Sequence, residues 1–302
     1  MNAILKKTSF SSAEYLADLA VQALIDEVNL TPKPGLVDRR GSGAHDDLTL
    51  ELMEKSAFSL FPMFKAMAQA AEIHGEVNQA LREDIGQLGR QGEQRMLQVT
   101  QGTNTHRGAI WSIGLMVTAT ALTLYKNEDC RITKLCKTAA EIALIEDRFI
   151  PQQLLSHGQI ARQKFGINGA KQQAQQGFPI ITEFGLTQLQ RSRALNTTET
   201  EARLDALLAM MAELSDTCVV HRAGLDGLNI MQSGAREVLQ LGGCSTNQGQ
   251  QRLEQLEQDL LAIRASAGGA ADLLATLLFL DQAEQEYSNA WQGRKNNGNI
   301  KL

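Results

Sequence analysis

Apolar residues in this chain recur every three or four positions almost from end to end, and that spacing restricts the fold more than any other feature. Leu16, Leu19, Leu24, Ile25 and Val28 share one face of a helix that starts near Ser12. Leu204, Leu207, Leu208, Met211 and Leu214 repeat the pattern, as do Leu253, Leu256, Leu260 and Ile263. Segments 50–72, 76–99, 107–125, 133–146 and 271–286 also fit helices. The nearest approach to a strand is "GFPIITEF" at 177–184, which could equally be a loop entering a helix. Aromatic residues at 5% also disfavour a β-rich core. The spacing predicts an all-α fold of about ten helices, in a single domain over 1–288. A polar, Asn/Gly-rich tail at 289–302 is expected to be flexible, and "GGCSTNQGQ" at 242–250 reads as a surface connection.

A chain of 302 residues can bury a sizeable core. Its net charge of −5 implies no broad basic surface, so nucleic acid is not the expected partner. An anionic ligand would need local clusters of Arg, Lys and backbone N–H groups. The four cysteines form no CxxC pair and read as reduced thiols. The first twenty residues lack the apolar run of a signal peptide, and no window reads as a membrane span. A cytoplasmic protein without a membrane partner is the expectation.

Five stretches interrupt the helices. In "EVNLTPKPGLVDRRGSGAHDD" (27–47), Pro32 and Pro34 stop the first helix near Asn29 and stiffen the turn into Gly35. Asp38, Arg39, Arg40, His45, Asp46 and Asp47 follow. Acids that can hold Mg²⁺ beside arginines that can pair with phosphate oxygens suit a metal-chelated polyphosphate; a solvated linker is the plainer reading. In "QGTNTHRGAIWSIG" (101–114), Thr103, Asn104 and Thr105 can cap the helix that follows. His106 and Arg107 oppose its dipole unless an anion lies between them. "FGINGAKQQAQQGFP" (165–179) carries Lys171 between glycines. "SDTCVVHRAG" (215–224) carries Asp216, His221 and Arg222. "SAGGAADLLA" (266–275) opens a helix on Gly268 and Gly269, with Asp272 in its first turn. The chain contains no GxxxxGK[ST], GxGxxG or HExxH motif.

Together, and in this order, the blocks resemble the triphosphoribosyl-dephospho-coenzyme A synthase family over nearly the whole chain. The resemblance implies an all-α cytoplasmic enzyme that joins ATP to 3′-dephospho-coenzyme A and releases adenine. The product is the precursor of a prosthetic group, which a separate transferase attaches to an acyl carrier protein. The wording of "RRGSGAHDDLTLELMEKSA" and "HRGAIWSIGLM" is more similar to the malonate decarboxylase branch than to the citrate lyase branch. Two departures stand out. Lys171, Gln172 and Gln173 replace the family's Arg-Gly-Glu, and Ala267 replaces a proline.

The implied chemistry is substitution at the ribose carbon that carries adenine, through an oxocarbenium-like transition state. Lys33, Arg39, His106 and Arg107 are expected to contact phosphates, with Asn104 orienting them, and Pro34, Gly35 and Lys171 are further expected substrate-binding residues. Arg222, Gly268 and Gly269 are expected at the second nucleotide. Glu27 or Asp38 would be the base, and His45 or His221 would protonate adenine. Asp46, Asp47 and Asp216 are the expected Mg²⁺ ligands. The chain could self-associate as a homo-oligomer. Two rivals are a metal-dependent phosphohydrolase built on the His45–Asp46 pair and a non-catalytic helical subunit that binds a nucleotide or a carrier protein.

Overall fold

A computed structural model describes residues 12–150, 164, 166–167 and 169–296, with the side chains of 288–296 left aside. The helices are α1 (Ser12–Asn29), α2 (Leu50–Ser59), α3 (Phe61–His74), α4 (Gln79–Val99), α5 (Arg107–Tyr125), α6 (Ile132–Leu144), α7 (Ala170–Gln175), α8 (Leu186–Ala194), α9 (Glu199–Glu213), α10 (Thr217–Gln240), α11 (Asn247–Ala262) and α12 (Gly268–Asn296). Among the described residues the only β pairing is an isolated bridge between Asp38 and Gly41, so the all-α expectation holds.

Local chemistry sets most boundaries. Thr49 caps α2 through Leu52 N–H, Asn78 caps α4 through Leu81 N–H, and Thr246 caps α11 through Gly249 N–H. Thr198 and Glu201 form a reciprocal capping box at α9. Three expectations are corrected. The single helix expected over 50–72 is two, because the chain breaks at Leu60 and restarts with Pro62 in the first turn of α3. The strand-like "GFPIITEF" contains a π-helical turn, Ile180–Gly185, which runs straight into α8. The 242–250 connection is short: a 3₁₀ turn at Gly243–Ser245 is followed at once by α11. The expected tail 289–302 begins inside α12, and residues 297–302 lie outside the described residues.

α1, α3, α5 and α12 pack together at the centre, with α9 and α10 against α12 and α11. α5 is buried nearly all round, from Ala109 to Thr123. Contrary to the sequence expectation, its 19 residues are long and apolar enough to cross a membrane, but 78% of the apolar window lies inside the protein. A small second cluster, Val28, Val37, Leu48 and Met53, pins the loop after α1 onto α1 and α2. That loop and the N-termini of α5, α10 and α12 carry four of the five signature blocks; the remaining one, 165–179, contains α7.

Candidate functional site

The loop after α1 is shaped by one carboxylate. Asp38 accepts the Lys33 N–H at 2.9 Å and the Arg40 N–H at 2.8 Å, and pairs with the Arg40 guanidinium at 2.8 Å. Arg40 in turn reaches Glu257 on α11. Gly35, at φ 70°, presses against the Ala265 carbonyl, where an added Cβ would come to 2.7 Å. The turn thereby drives Lys33 inward. Its side chain is 1% exposed and pairs with Glu27 of α1, itself 3% exposed. Burying such a pair gains little stability by itself, because desolvation opposes the attraction. This pair is therefore a candidate for function.

Three helix N-termini converge on the same region. Asp216 caps α10: Oδ1 accepts the Cys218 N–H at 2.8 Å and the Val219 N–H at 3.3 Å. Its other oxygen accepts the Ala270 N–H at 3.0 Å in the first turn of α12, and Gly269 N–H also donates to this carboxylate. One acid thus serves two helix starts. Asp272, one turn further along α12, accepts the Ala109 N–H at the start of α5. Gly108 makes that possible, since a Cβ there would overlap the Asp272 carboxylate. A carboxyl group of the protein itself thus meets the start of α5, where an anion was expected. Arg107 is half-exposed, pairs with Glu93 of α4, and has its N–H capped by Asn104 at 3.2 Å.

Crowding shifts the acidities. Burial pushes Glu27 above the usual carboxylate range, although the Lys33 ammonium pulls it back. Burial also raises Asp216, against the pull of its backbone N–H donors. Asp272 is held well above the ordinary range by burial and then by the nearby charges of Glu27 and Asp216. His106 is 2% exposed. Burial and the positive charge of Lys33 depress its pKa to about 3, so the ring is neutral. Its Nδ1 lies 2.8 Å from Ser56 Oγ, while Nε2 is sealed without a hydrogen-bond partner.

A more exposed rim lies beside this cluster. Arg222 donates to His45 Nδ1 at 2.9 Å and to the Ala44 carbonyl at 3.3 Å. Arginine offers no acceptor, so His45 carries its proton on Nε2 and directs it at Ser266 Oγ, 2.8 Å away. Burial and Arg222 lower the His45 pKa, which makes it a poor acid near neutrality. This contact joins the "AHDD", "HRAG" and "SAGG" blocks. Asp46 pairs with Arg264, and Asp47 faces His45 Nδ1 at 3.4 Å; both are mostly exposed. Arg39 is exposed and bonds Asn29 Oδ1 at 3.0 Å. His221 and Lys171 lie at the surface, Gly268 and Gly269 are half-buried, and Pro34 is buried behind the loop.

The structure thus brings Glu27, Lys33, Asp38, His106 and Asp216 into one interior cluster and His45, Arg222, Gly268 and Gly269 onto its margin. It does not gather Asp46, Asp47 and Asp216. Among the described residues no group of three or more His, Cys, Asp or Glu side chains is arranged to hold a metal. Two residues at the centre, Asp272 and Ser56, were assigned no part in the chemistry by sequence reasoning. Asp272 had a signal, an acid three residues beyond a Gly-Gly pair, but a first-turn acid is explained by the helix dipole alone. Ser56 had none. Two depressions, one bordered by Leu19, Phe58, Phe61 and Pro62 and the other by Phe184, Ala212, Arg236 and Leu239, contain none of these residues.

A family profile described as ATP:dephospho-CoA triphosphoribosyl transferase matches residues 13–290. A protein of Stutzerimonas stutzeri (strain A1501) named "Probable 2-(5''-triphosphoribosyl)-3'-dephosphocoenzyme-A synthase" is 55% identical over 282 residues, covering 93% of this chain and 96% of that one. Proteins of the same name from Pseudomonas syringae pv. syringae (strain B728a) and Azotobacter vinelandii (strain DJ / ATCC BAA-1303) are each 57% identical, over 91% of this chain and 93% of theirs.

Proposed function

Because the chain belongs to the ATP:dephospho-CoA triphosphoribosyl transferase family, we propose that its interior cluster moves the triphosphoribosyl group of ATP onto the 2′-hydroxyl of 3′-dephospho-coenzyme A. The bond from the ribose carbon to adenine breaks, with its electron pair leaving on the base. The bond to the attacking oxygen forms, and the triphosphate is kept. The carrying observation is that Glu27 and Asp272, two neighbouring acids, have different partners. Glu27 has the Lys33 ammonium; Asp272 has a single backbone N–H and two nearby negative charges. Such asymmetry separates a base from an acid.

In this reading Glu27 stays ionised, takes the hydroxyl proton and offsets charge on the ring. Asp272 stays protonated and delivers its proton to departing adenine. One proton is taken and one given, so the pair ends with its protonation states exchanged. Such acid–base help is worth roughly 10²–10⁴-fold. Asp38 is better suited to hold the loop than to act as a base, since its oxygens are engaged with Lys33 N–H and Arg40. Arg39, Arg107, Lys171 and Arg222 are the accessible cations for phosphates. Mg²⁺ enters with ATP as part of the substrate. Asp46 and Asp47 have oxygens free to approach it from the loop, whereas Asp216 would have to release backbone N–H groups. The phosphohydrolase alternative gains no support from the His45–Asp46 pair, because His45 faces Arg222 and Ser266 while Asp46 faces Arg264.

The test is adenine release from ATP, Mg²⁺ and 3′-dephospho-coenzyme A by the pure protein. Stoichiometric adenine with a triphosphate-bearing product is expected. Phosphate in its place would favour hydrolysis, and nucleotide binding without turnover a non-catalytic subunit. We further propose that the product serves the acyl carrier protein of malonate decarboxylase. Incorporation into that carrier, but not into the citrate lyase carrier, by the respective downstream transferases would support the assignment.

A further inference from the structure

Ser56, on α2, has no exposed surface. Its hydroxyl stands 2.8 Å from His106 Nδ1 and 2.5 Å from Thr105 Oγ1. A serine carries one hydrogen and two acceptor lone pairs, so three arrangements satisfy both contacts. Ser56 donates to Nδ1 and accepts from Thr105, with the ring proton on Nε2; or the Nδ1–H donates to Ser56 and Ser56 donates to Thr105; or Ser56 accepts from both, which leaves its own buried hydrogen without a partner and is disfavoured. Surroundings choose between the first two. The ring belongs to the residue at the start of α5, the positive end of that helix dipole, and Nε2 has no hydrogen-bond partner. The Lys33 ammonium, close enough to depress the ring's basicity, adds to the positive potential. A second N–H pointing into such a field is disfavoured, and a lone pair is favoured.

Resting on the transfer reading above, we propose that Ser56 is a positioning residue. It accepts from His106 Nδ1–H and donates to Thr105, so that Nε2 offers a lone pair to a hydroxyl of the ATP ribose. That ribose carries positive charge in the transition state, when its neighbouring hydroxyls become more acidic and their hydrogen bonds strengthen. Protonated, His106 would offer the substrate only a donor. Held neutral in the other tautomer, it would do the same. Ser56 therefore selects the one form of the ring that can accept.

The decisive variant is Thr105→Val, which keeps volume but removes the acceptor for Ser56. The Ser56 hydroxyl should then turn to Nδ1 and move the ring proton to Nε2. Nitrogen-15 NMR of histidine-labelled full-length protein at neutral pH should show His106 as the Nδ1–H tautomer in wild type and the Nε2–H tautomer in Thr105→Val. Turnover should fall about 10–100-fold, with KM for ATP within about 3-fold, as for an interaction made in the transition state. The penalty for 2′-deoxy-ATP or 3′-deoxy-ATP, whichever is the larger in wild type, should largely vanish in the variant. Ser56→Ala should give mixed tautomers. An Nε2–H or charged ring in wild type would overturn the proposal, as would a variant that keeps both tautomer and turnover. Wild-type protein that releases no adenine would refute the transfer reading instead, and the NMR result would still decide the role of Ser56.

Discussion

The interior cluster and its rim come from the same signature blocks, yet they differ in how their charges are held. Lys33, Glu27, Asp216 and His106 are sealed and each is fixed by a helix end, a backbone N–H or one another. Arg39, Arg107, Asp46 and Asp47 are half-exposed or exposed and pair with whatever polar or charged group is near. Desolvation moves acidities by several units inside and hardly at all outside. The interior can therefore supply proton transfer, and the rim can supply attraction for phosphates, which water screens.

That contrast can be broken at four points. The largest expected effect is Asp272→Asn, which keeps an acceptor for the Ala109 N–H but removes the transferable proton. Adenine release should fall roughly 10²–10⁴-fold while circular dichroism stays native. Next, Lys33→Met leaves Glu27 buried without its cation, and chemical denaturation should register a loss of roughly 3–5 kcal/mol. Adding Glu27→Gln should return most of it. Third comes pH. The Asp272 acidity is weakened on folding, so its contribution to stability is present at low pH and is lost as pH rises through its folded pKa. His106 works the other way: its folded pKa of about 3 lies below the ordinary 6.5, so stability is lost as pH falls through that window. Asp272→Asn should flatten the alkaline limb and His106→Asn the acid limb, each by at most about 1.4 kcal/mol per pH unit. The smallest effects belong to the rim. Arg222→Ala should raise KM for one nucleotide about 10-fold with little change in kcat, and Asp46→Asn should alter stability by less than about 0.5 kcal/mol. A rim substitution that abolished turnover outright would erase the distinction between the two regions.

Much of this was legible in the chain, for uneven reasons. The end of α1 at Asn29 follows from Pro32 and Pro34, and the span Arg107–Tyr125 from an unbroken apolar run. The break between α2 and α3 was hidden because apolar spacing continues across Leu60, and a proline tolerated in a first helical turn does not announce a gap. Within the candidate site, Glu27 and Lys33 drew notice because an unusual motif holds them six residues apart. The capping role of Asp216 was hidden for a different reason. A metal ligand and a helix cap are both acids near glycines, and only the fold shows that its oxygens meet N–H groups of two helices. Asp272 and Ser56 meet partners more than 150 and about 50 positions away, a distance at which spacing within one chain carries no information.

The double cap at Asp216 has a consequence for how the molecule is assembled. Its two oxygens join helix starts 54 residues apart, so the link can close only when α12 docks against α10. The same docking brings Asp272 beside Glu27 and Asp216. Until then Asp272 is an ordinary acid; once docked, burial and those neighbouring charges raise its pKa, so arrival of the last helix favours proton binding at this position.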